Sequence, residues 1–147
     1  MRVSTKCSTA LHALLVIAVI SPKKKVTGEF LAKSAGCNPV IIRNILGRLK
    51  SAGIIDIARG TGGATLRLEP KDITLWDVYS AVDNTALDEW IGLHPNPSQK
   101  CPVGKNIYAL LAEPYGKIGA AIKREMTDTT LEQLLAAQQK EENRQPL

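Results

Sequence analysis

The chain has 147 residues, of which 44% are hydrophobic and 22% charged, and it holds only three cysteines. This length and composition are those of one globular domain with a small appendage. Three scattered cysteines without a CxxC pair exclude a secreted disulfide framework and a structural zinc site. Residues 10–20 form an apolar run of signal-peptide length, but three lysines follow it and no cleavage signal precedes them. Because the run is also too short to span a bilayer, we expect a buried helix in a cytoplasmic protein without a membrane partner.

The net charge of +5 is unevenly distributed. Residues 1–70 carry eleven Lys and Arg against three acids, a net charge of +8, whereas residues 71–147 carry eight bases against eleven acids, a net charge of −3. A basic half joined to an acidic half favours a polyanion, such as nucleic acid, as partner of the first half and a different role for the second.

The basic half has the pattern of three helices. Residues 4–20 are apolar on nearly every face, which predicts a helix in the centre of the core. Thr27 is a good N-cap for a short second helix. Asn38 followed by Pro39 predicts the start of a third helix that runs to Ser51. Its buried stripe is predicted from spacings of three and four residues, at Ile42, Ile45, Leu46 and Leu49. Two helices joined by a short glycine-containing turn form a helix-turn-helix.

A glycine-rich hairpin is predicted next. Residues 54–58 and 65–68 are strand-like, and the segment 59–64 between them contains three glycines, which permit the positive φ angles of a tight turn. A hairpin directly after a helix-turn-helix is the wing of a winged helix. The segment joins two strands and lacks the Lys-Ser/Thr pair of a phosphate loop, so it does not predict nucleotide binding. No nucleophile motif or acid pair is present either, and we expect no enzyme.

The acidic half is predicted to be helical around one loop. Thr74 and Asp77 form an approximate capping box for a fourth helix. A long helix is predicted from Pro102 to about Met126, roughly 36 Å, with a kink at a proline. Its apolar residues follow a heptad seam that predicts a homodimer interface, made by Ile107, Leu111, Pro114, Ile118, Ala121 and Ile122. A last short helix is predicted to begin at Thr129 or Thr130 and to end at Gln138.

These elements predict a mainly α fold, a winged helix-turn-helix with a small β-hairpin wing and a long C-terminal dimerisation helix. The predicted domains are a winged-helix DNA-binding domain at residues 1–84, a linker or sensor loop at 85–101, and a helical dimerisation region at 102–147.

The outward face of the third helix carries side chains suited to reading DNA. Arg43 and Asn44 lie near the helix start, which is the end that enters the major groove, and can pair with guanine and adenine edges. Arg59, at the base of the wing, can enter a minor groove or hold a phosphate. Taken singly, each of these is an ordinary surface residue. The predicted DNA-binding residues are Asn38, Pro39, Val40, Arg43, Asn44, Arg48, Arg59, Gly60, Thr61, Gly62, Gly63, Thr27 and Lys33.

At these motifs the chain resembles the Rrf-two (Rrf2) family of winged-helix transcriptional regulators, the group that includes IscR, NsrR and CymR. The similar stretches are residues 1–15, 31–49, the wing 59–64, and 70–78. The segment Cys101-Pro102-Val103-Gly104 is similar to the YwnA-like subgroup.

The resemblance implies a sequence-specific transcriptional regulator, which we expect to be a repressor. It implies a homodimer built on the long helix, bound to double-stranded DNA at a pseudo-palindromic operator. It also implies base contacts from residues matching Asn38, Val40, Arg43 and Asn44, and a minor-groove contact from Arg59. The alternative is a winged-helix protein-interaction module without operator-specific DNA binding.

The loop before the long helix, which is expected to hold a sensor, departs from the family pattern. Iron-sulfur members carry three cysteines before the long helix, whereas this chain has only Cys101 there. One thiolate cannot hold a cluster that needs four ligands, so we expect no cofactor and no metal unless a second subunit contributes ligands.

The same cysteine is the redox candidate of the sequence. Cys101 precedes a proline and is expected at the start of the long helix, where the helix dipole favours a thiolate. The signal would then be an oxidant or a small molecule. The alternative is that Cys101 is a small residue at a tight junction. Cys7 and Cys37 are expected to be packing residues, His12 a core or dimer-contact residue, and His94 a loop residue.

Overall fold

In the computed structural model the chain is mainly helical. The structure describes residues 4–60 and 62–145, and of Asp88 the backbone alone. The helices are α1 (Lys6–Ile20), α2 (Gly28–Ala35), α3 (Pro39–Ser51), α4 (Leu75–Val82), α5 (Ile107–Asp128) and α6 (Leu131–Arg144). Strands β1 (Ile55–Ile57) and β2 (Ala64–Leu66) pair antiparallel, and short 3₁₀ turns lie at Pro70–Asp72 and Leu87–Glu89.

Two compact units divide the chain. Residues 4–84 and 127–145 form the first, which we name the winged-helix unit, and residues 85–126 form the second, which we name the long-helix unit.

Helix α1 is central to the winged-helix unit, as its apolar composition predicts. Four of its residues, Ala10, Ala13, Leu14 and Ile17, are fully buried. They form one hydrophobic cluster with residues from α2, α3, both strands, α4 and α6. Burial of this kind is the main favourable contribution to folding, so α1 is the element on which the helix-turn-helix and the hairpin pack.

The helix-turn-helix forms at the predicted residues. The Thr27 hydroxyl caps α2 by accepting the Phe30 N–H at 3.2 Å. Gly36 ends α2 with a φ of +64°, a conformation that glycine adopts without steric cost. Asn38 caps α3, and Ile42, Ile45, Leu46 and Leu49 are all buried. The predicted stripe of α3 is therefore confirmed.

The wing is confirmed, with a changed second strand. The register pairs Ile55 with Leu66 and Ile57 with Ala64. The sequence placed Ala64 in the turn and began the second strand at Thr65. In the structure Ala64 already pairs with Ile57, so β2 begins one residue earlier and ends at Leu66. The Ala64 N–H donates to the Val26 carbonyl at 2.9 Å, in the segment before α2.

The N-terminal end of α6 is hydrogen-bonded to the segment just before α4. The Thr74–Asp77 capping box is present, with Thr74 N–H to Asp77 Oδ2 at 2.9 Å and Asp77 N–H to Thr74 Oγ1 at 3.1 Å. The Leu131 N–H donates to the Ile73 carbonyl at 2.8 Å, and Leu131 is fully buried.

The last helix differs from its prediction in length and in packing. Thr130 caps it, and it ends at Arg144 rather than Gln138. The polar residues after Gln138 remain helical, and Glu141 and Arg144 form an exposed ion pair there. The sequence grouped this segment with the long helix, whereas α6 packs on α1 within the winged-helix unit.

The long-helix unit consists of a turn-rich segment and α5 as far as Met126, and the last two residues of α5 fall in the winged-helix unit. The helix begins at Ile107, not at Pro102 as the sequence predicted. Residues 101–106 form consecutive turns instead, with the Lys105 N–H donating to the Cys101 carbonyl at 3.0 Å and the Asn106 N–H to the Val103 carbonyl at 3.0 Å. The helix runs through Pro114, and none of the 22 described residues of α5 is buried.

Candidate nucleic-acid interface

The face of α3 opposite its buried stripe is open to solvent. Arg43, Asn44, Gly47 and Arg48 are all exposed on it, and Val40 is 55% exposed. Asn38 and Pro39 are exposed at its start, where the Asn38 Oδ1 accepts the Val40 N–H at 2.8 Å. The predicted residues of this helix therefore lie together on one surface, although the Asn38 oxygen is engaged as the helix cap.

The sequence missed one apolar member of this face. Ile41 is 47% exposed although it lies beside the fully buried Ile42. The spacing alone does not identify it, since Ile41 lies four residues before the buried Ile45. The signal is angular, because at 100° per residue Ile41 lies about 90° from the centre of the buried stripe. Apolar side chains on a reading helix contact the methyl group of thymine.

Two grooves flank the exposed face of α3. The first, which we name the Lys6 groove, has a volume of about 860 Å³ and is lined by Lys6 of α1, by Ala81 of α4, and by Asn44, Arg48 and Ser51. The second, which we name the Thr27 groove, has a volume of about 440 Å³ and is lined by Thr27, Glu29 and Ile57. Arg43 and Gly47 line both grooves, so they form the ridge between them.

The wing presents Arg59 and a glycine-rich tip. Arg59 is exposed, and Gly60 has a φ of +75°. A Cβ at Gly62 would overlap the Ala58 carbonyl, and one at Gly63 would lie 2.9 Å from the Val26 nitrogen. The glycines at these two positions are therefore required by close backbone approach. The predicted contact Thr61 lies outside the described residues.

The candidate phosphate contacts lie around α2. Thr27 caps the helix through its hydroxyl, and Lys33 is exposed in the last turn. Lys24 lies over the Phe30 ring, with its Nζ 4.7 Å from the ring centroid. This cation–π contact holds a lysine beside the start of α2.

The predicted dimer seam lies along α5. Ile107, Leu111, Ala121 and Ile122 are partly exposed, whereas Pro114 and Ile118 are exposed. Leu110 is 61% exposed beside the seam. These residues form an apolar strip on a helix that buries no described residue.

The histidines lie on surfaces. His12 is exposed rather than in the core, and its Nε2 is 2.9 Å from Ser34 Oγ across α1 and α2. His94 is an exposed loop residue as expected, and its carbonyl accepts the Tyr108 hydroxyl at 2.9 Å.

The cysteines differ in environment. Cys101 is exposed, and N–H groups of Gly104 and Val103 donate to its sulfur, which holds the pKa of the Cys101 thiol below its ordinary value. The sequence attributed thiolate stabilisation to a helix start, but α5 begins at Ile107, so the turn of residues 101–106 supplies the N–H groups instead. Burial, followed by the nearby Asp83 carboxylate, raises the pKa of Cys7. Cys7 and Cys37 both pack against the core.

These features define the class. A helix-turn-helix with an exposed basic reading face, followed by a glycine-rich wing, is a winged-helix DNA-binding domain. The Rrf2 family model, described as iron-dependent transcriptional regulator, matches residues 3–137. The chain belongs to the Rrf2 family. It is a DNA-binding transcriptional regulator and not an enzyme.

Individual relatives agree with this assignment. The HTH-type regulator YwnA of Bacillus subtilis (strain 168) is 33% identical over 133 residues, covering 90% of this chain and 96% of YwnA. A crystal structure of a protein assigned to DNA binding is 32% identical with a TM-score of 0.68, covering 88% of this chain and 98% of that one. A transcriptional regulator from Lactobacillus plantarum is 26% identical with a TM-score of 0.74, covering 96% and 99% of the two chains.

The residues do not fit the iron site that the family description implies. Within residues 4–60 and 62–145, no three His, Cys, Asp or Glu side chains come together in a metal-binding group. The long-helix unit has a single cysteine, Cys101, and an iron-sulfur cluster requires about four protein ligands. In the same part of the chain, no helix is long and apolar enough to cross a membrane.

Proposed function

We propose that this regulator acts as a homodimeric repressor that binds a pseudo-palindromic operator sequence-specifically in the cytoplasm, where the chromosome lies. The observation that carries the proposal is the exposed face of α3. Val40, Arg43, Asn44 and Arg48 share this surface, and the wing with Arg59 follows in the same unit. A bound repressor would block RNA polymerase at the promoter.

Base reading would come from the first turns of α3. Arg43 can donate two hydrogen bonds to guanine, and Asn44 can pair with the adenine edge. Val40 and Ile41 can contact thymine methyl groups. Arg59 would lie in the adjacent minor groove, while Thr27, Lys33 and the wing glycines Gly60, Gly62 and Gly63 would approach the sugar-phosphate chain.

A second copy of the chain would cover α5. Helices in proteins are stabilised mainly by packing of an apolar face rather than by intrinsic propensity, so an apolar strip that is not buried favours association. In a twofold dimer the same patch serves both subunits, and a seam along one helix can be self-complementary. The proposed seam is Ile107, Leu111, Pro114, Ile118, Ala121 and Ile122.

The test is DNA binding with two matched variants. Titration of DNA from upstream of the protein's own gene should show salt-sensitive binding. Arg43→Ala should cost about 1–3 kcal/mol and relax base preference at one position, whereas Lys33→Ala should weaken binding to all sequences alike. If both variants behave alike, the orientation of α3 on DNA is wrong. If binding is absent or insensitive to salt, the protein-interaction module is the better assignment.

The proposed signal is an oxidant that acts on Cys101, which is exposed and has a lowered thiol pKa. The thiolate would attack one oxygen of hydrogen peroxide, forming an S–O bond as the O–O bond breaks. The sulfur loses two electrons to give a sulfenic acid, and the leaving hydroxide takes up a proton as water. Peroxide should change operator affinity in the wild type and not in Cys101→Ser. Equal operator affinity of the wild type with and without peroxide would exclude this signal.

A further inference from the structure

The two grooves beside α3 differ in charge. The Lys6 groove contains three cationic side chains, Lys6, Arg43 and Arg48, and its lining includes no acid. The Thr27 groove contains the shared Arg43 together with the acid Glu29. The more basic flank of α3 is thus the side that faces α1 and α4, away from the wing strand residue Ile57.

When a helix lies in the major groove of B-DNA, each of its two sides faces a sugar-phosphate strand. The major groove is about 12 Å wide, and an α-helix with its side chains is about 10–12 Å across. A helix that fills the groove therefore has one sugar-phosphate strand on each side. A basic groove along one side of the reading helix is complementary in charge to such a strand.

We propose that the Lys6 groove seats one sugar-phosphate strand of bound DNA, and that Lys6 and Arg48 contact its phosphates. Lys6 belongs to α1 and lies outside both the helix-turn-helix and the wing. The inference rests on the proposed function, because it requires α3 to enter the major groove.

The position of Lys6 is set by the core. Ala10, Ala13 and Leu14, in the turns that follow it, are fully buried. The Lys6 backbone N–H, the first of α1, donates to Ser4 Oγ at 3.2 Å. The positive end of the α1 dipole adds to the attraction for a phosphate there. Ser51, on the groove wall, adds a hydroxyl that can donate to a phosphate oxygen.

The test measures binding of the full chain to a mixed-sequence DNA duplex, because a phosphate contact does not depend on base sequence. Lys6→Gln removes the charge, Lys6→Arg retains it, and Lys140→Gln removes an exposed lysine on α6 as the matched control. Each lost phosphate contact should reduce the slope of log affinity against log salt by about 0.9. From about 50 to about 200 mM salt, the affinity gap between wild type and Lys6→Gln should therefore narrow by about 3.5-fold per contact. Lys6→Arg and Lys140→Gln should keep the wild-type slope.

Several results would overturn the inference, and they separate it from the proposed function. An unchanged salt slope for Lys6→Gln, while Arg43→Ala still loses operator preference, would remove the Lys6 contact and leave the regulator intact. A change in oligomeric state of Lys6→Gln, measured by sedimentation, would show that the groove seats an acidic segment of a second copy instead. Wild-type protein that fails to bind any DNA at low salt would overturn both. A thermal melt of Lys6→Gln that matches the wild type excludes unfolding as the cause.

Discussion

Leu14 of α1 and Leu110 of α5 are both helical leucines, yet Leu14 is fully buried and Leu110 is 61% exposed. The winged-helix unit closes a core around α1, and the proposed reading face of α3 packs on that core through its buried stripe. In the long-helix unit the 22 described residues of α5 bury nothing and present apolar side chains to solvent. The difference indicates that the first unit is stabilised by its own packing, whereas the apolar strip of α5 is the surface on which the proposed dimer depends.

The largest expected effect tests the packing of the first unit. Leu14→Ala should lower the free energy of unfolding by about 2–5 kcal/mol, because it removes a fully buried side chain and leaves a cavity. Urea denaturation measures this loss, which should not depend on protein concentration.

Leu110→Ala is the matched control for that experiment. Leu110→Ala should lower the free energy of unfolding by no more than about 0.5 kcal/mol at dilutions where the chain is monomeric, as for surface positions in general. Equal losses for the two leucines at such dilutions would contradict the distinction between the units.

The next effect concerns the apolar strip of α5. Ile118→Glu should raise the dimer dissociation constant on the order of 100-fold, about 2.7 kcal/mol, because the seam would have to bury a charge. Sedimentation equilibrium measures the constant. Lys117→Gln removes the neighbouring lysine, which forms an exposed ion pair with Glu113. It should change the dissociation constant by no more than a few-fold. A dimer unaffected by Ile118→Glu would place the interface elsewhere.

A smaller effect is expected at the start of α4. Thr74→Ala should lower the free energy of unfolding by about 1 kcal/mol, because the Asp77 N–H loses its acceptor. Thr74→Ser keeps a hydroxyl and should retain most of the stability. Equal losses for the two variants in thermal melts would assign the effect to the lost methyl group rather than to the cap.

The smallest effect is a difference in titration between two cysteines. Since the pKa of Cys101 is lowered and that of Cys7 is raised, alkylation by iodoacetamide should reach half its maximal rate at a lower pH for Cys101. The Cys7 thiol keeps its proton to a higher pH in the folded chain than in the unfolded one. Its contribution to stability is therefore complete below the ordinary cysteine pKa and is lost as the pH rises through the raised value. Coincident midpoints by mass spectrometry would contradict both assignments.

Most of the fold could be predicted because its signals are local. The caps at Thr27, Asn38 and Thr74 act on N–H groups within three residues, and the stripe of α3 repeats within one or two turns. Such interactions involve residues that lie close together in the sequence. The exposed reading face could be predicted for the same reason, as the complement of that stripe.

The errors lie where contacts outside the cap and stripe patterns decide the outcome. β2 begins at Ala64, which pairs with Ile57 and donates its N–H to the carbonyl of Val26, far back in the chain. α5 begins at Ile107 because the segment after Cys101 closes into turns, in which Gly104 comes too close to the Ser98 carbonyl for any side chain.

The sequence by itself determined the helix-turn-helix, the wing and the exposed face of α3, because short-range capping and periodicity specify them. Only the tertiary structure decided that α6 joins the winged-helix unit through Leu131 and that Lys6 lines a groove with Arg48. Both are consequences of packing between helices far apart in the chain, and no local pattern encodes which residues such packing brings together.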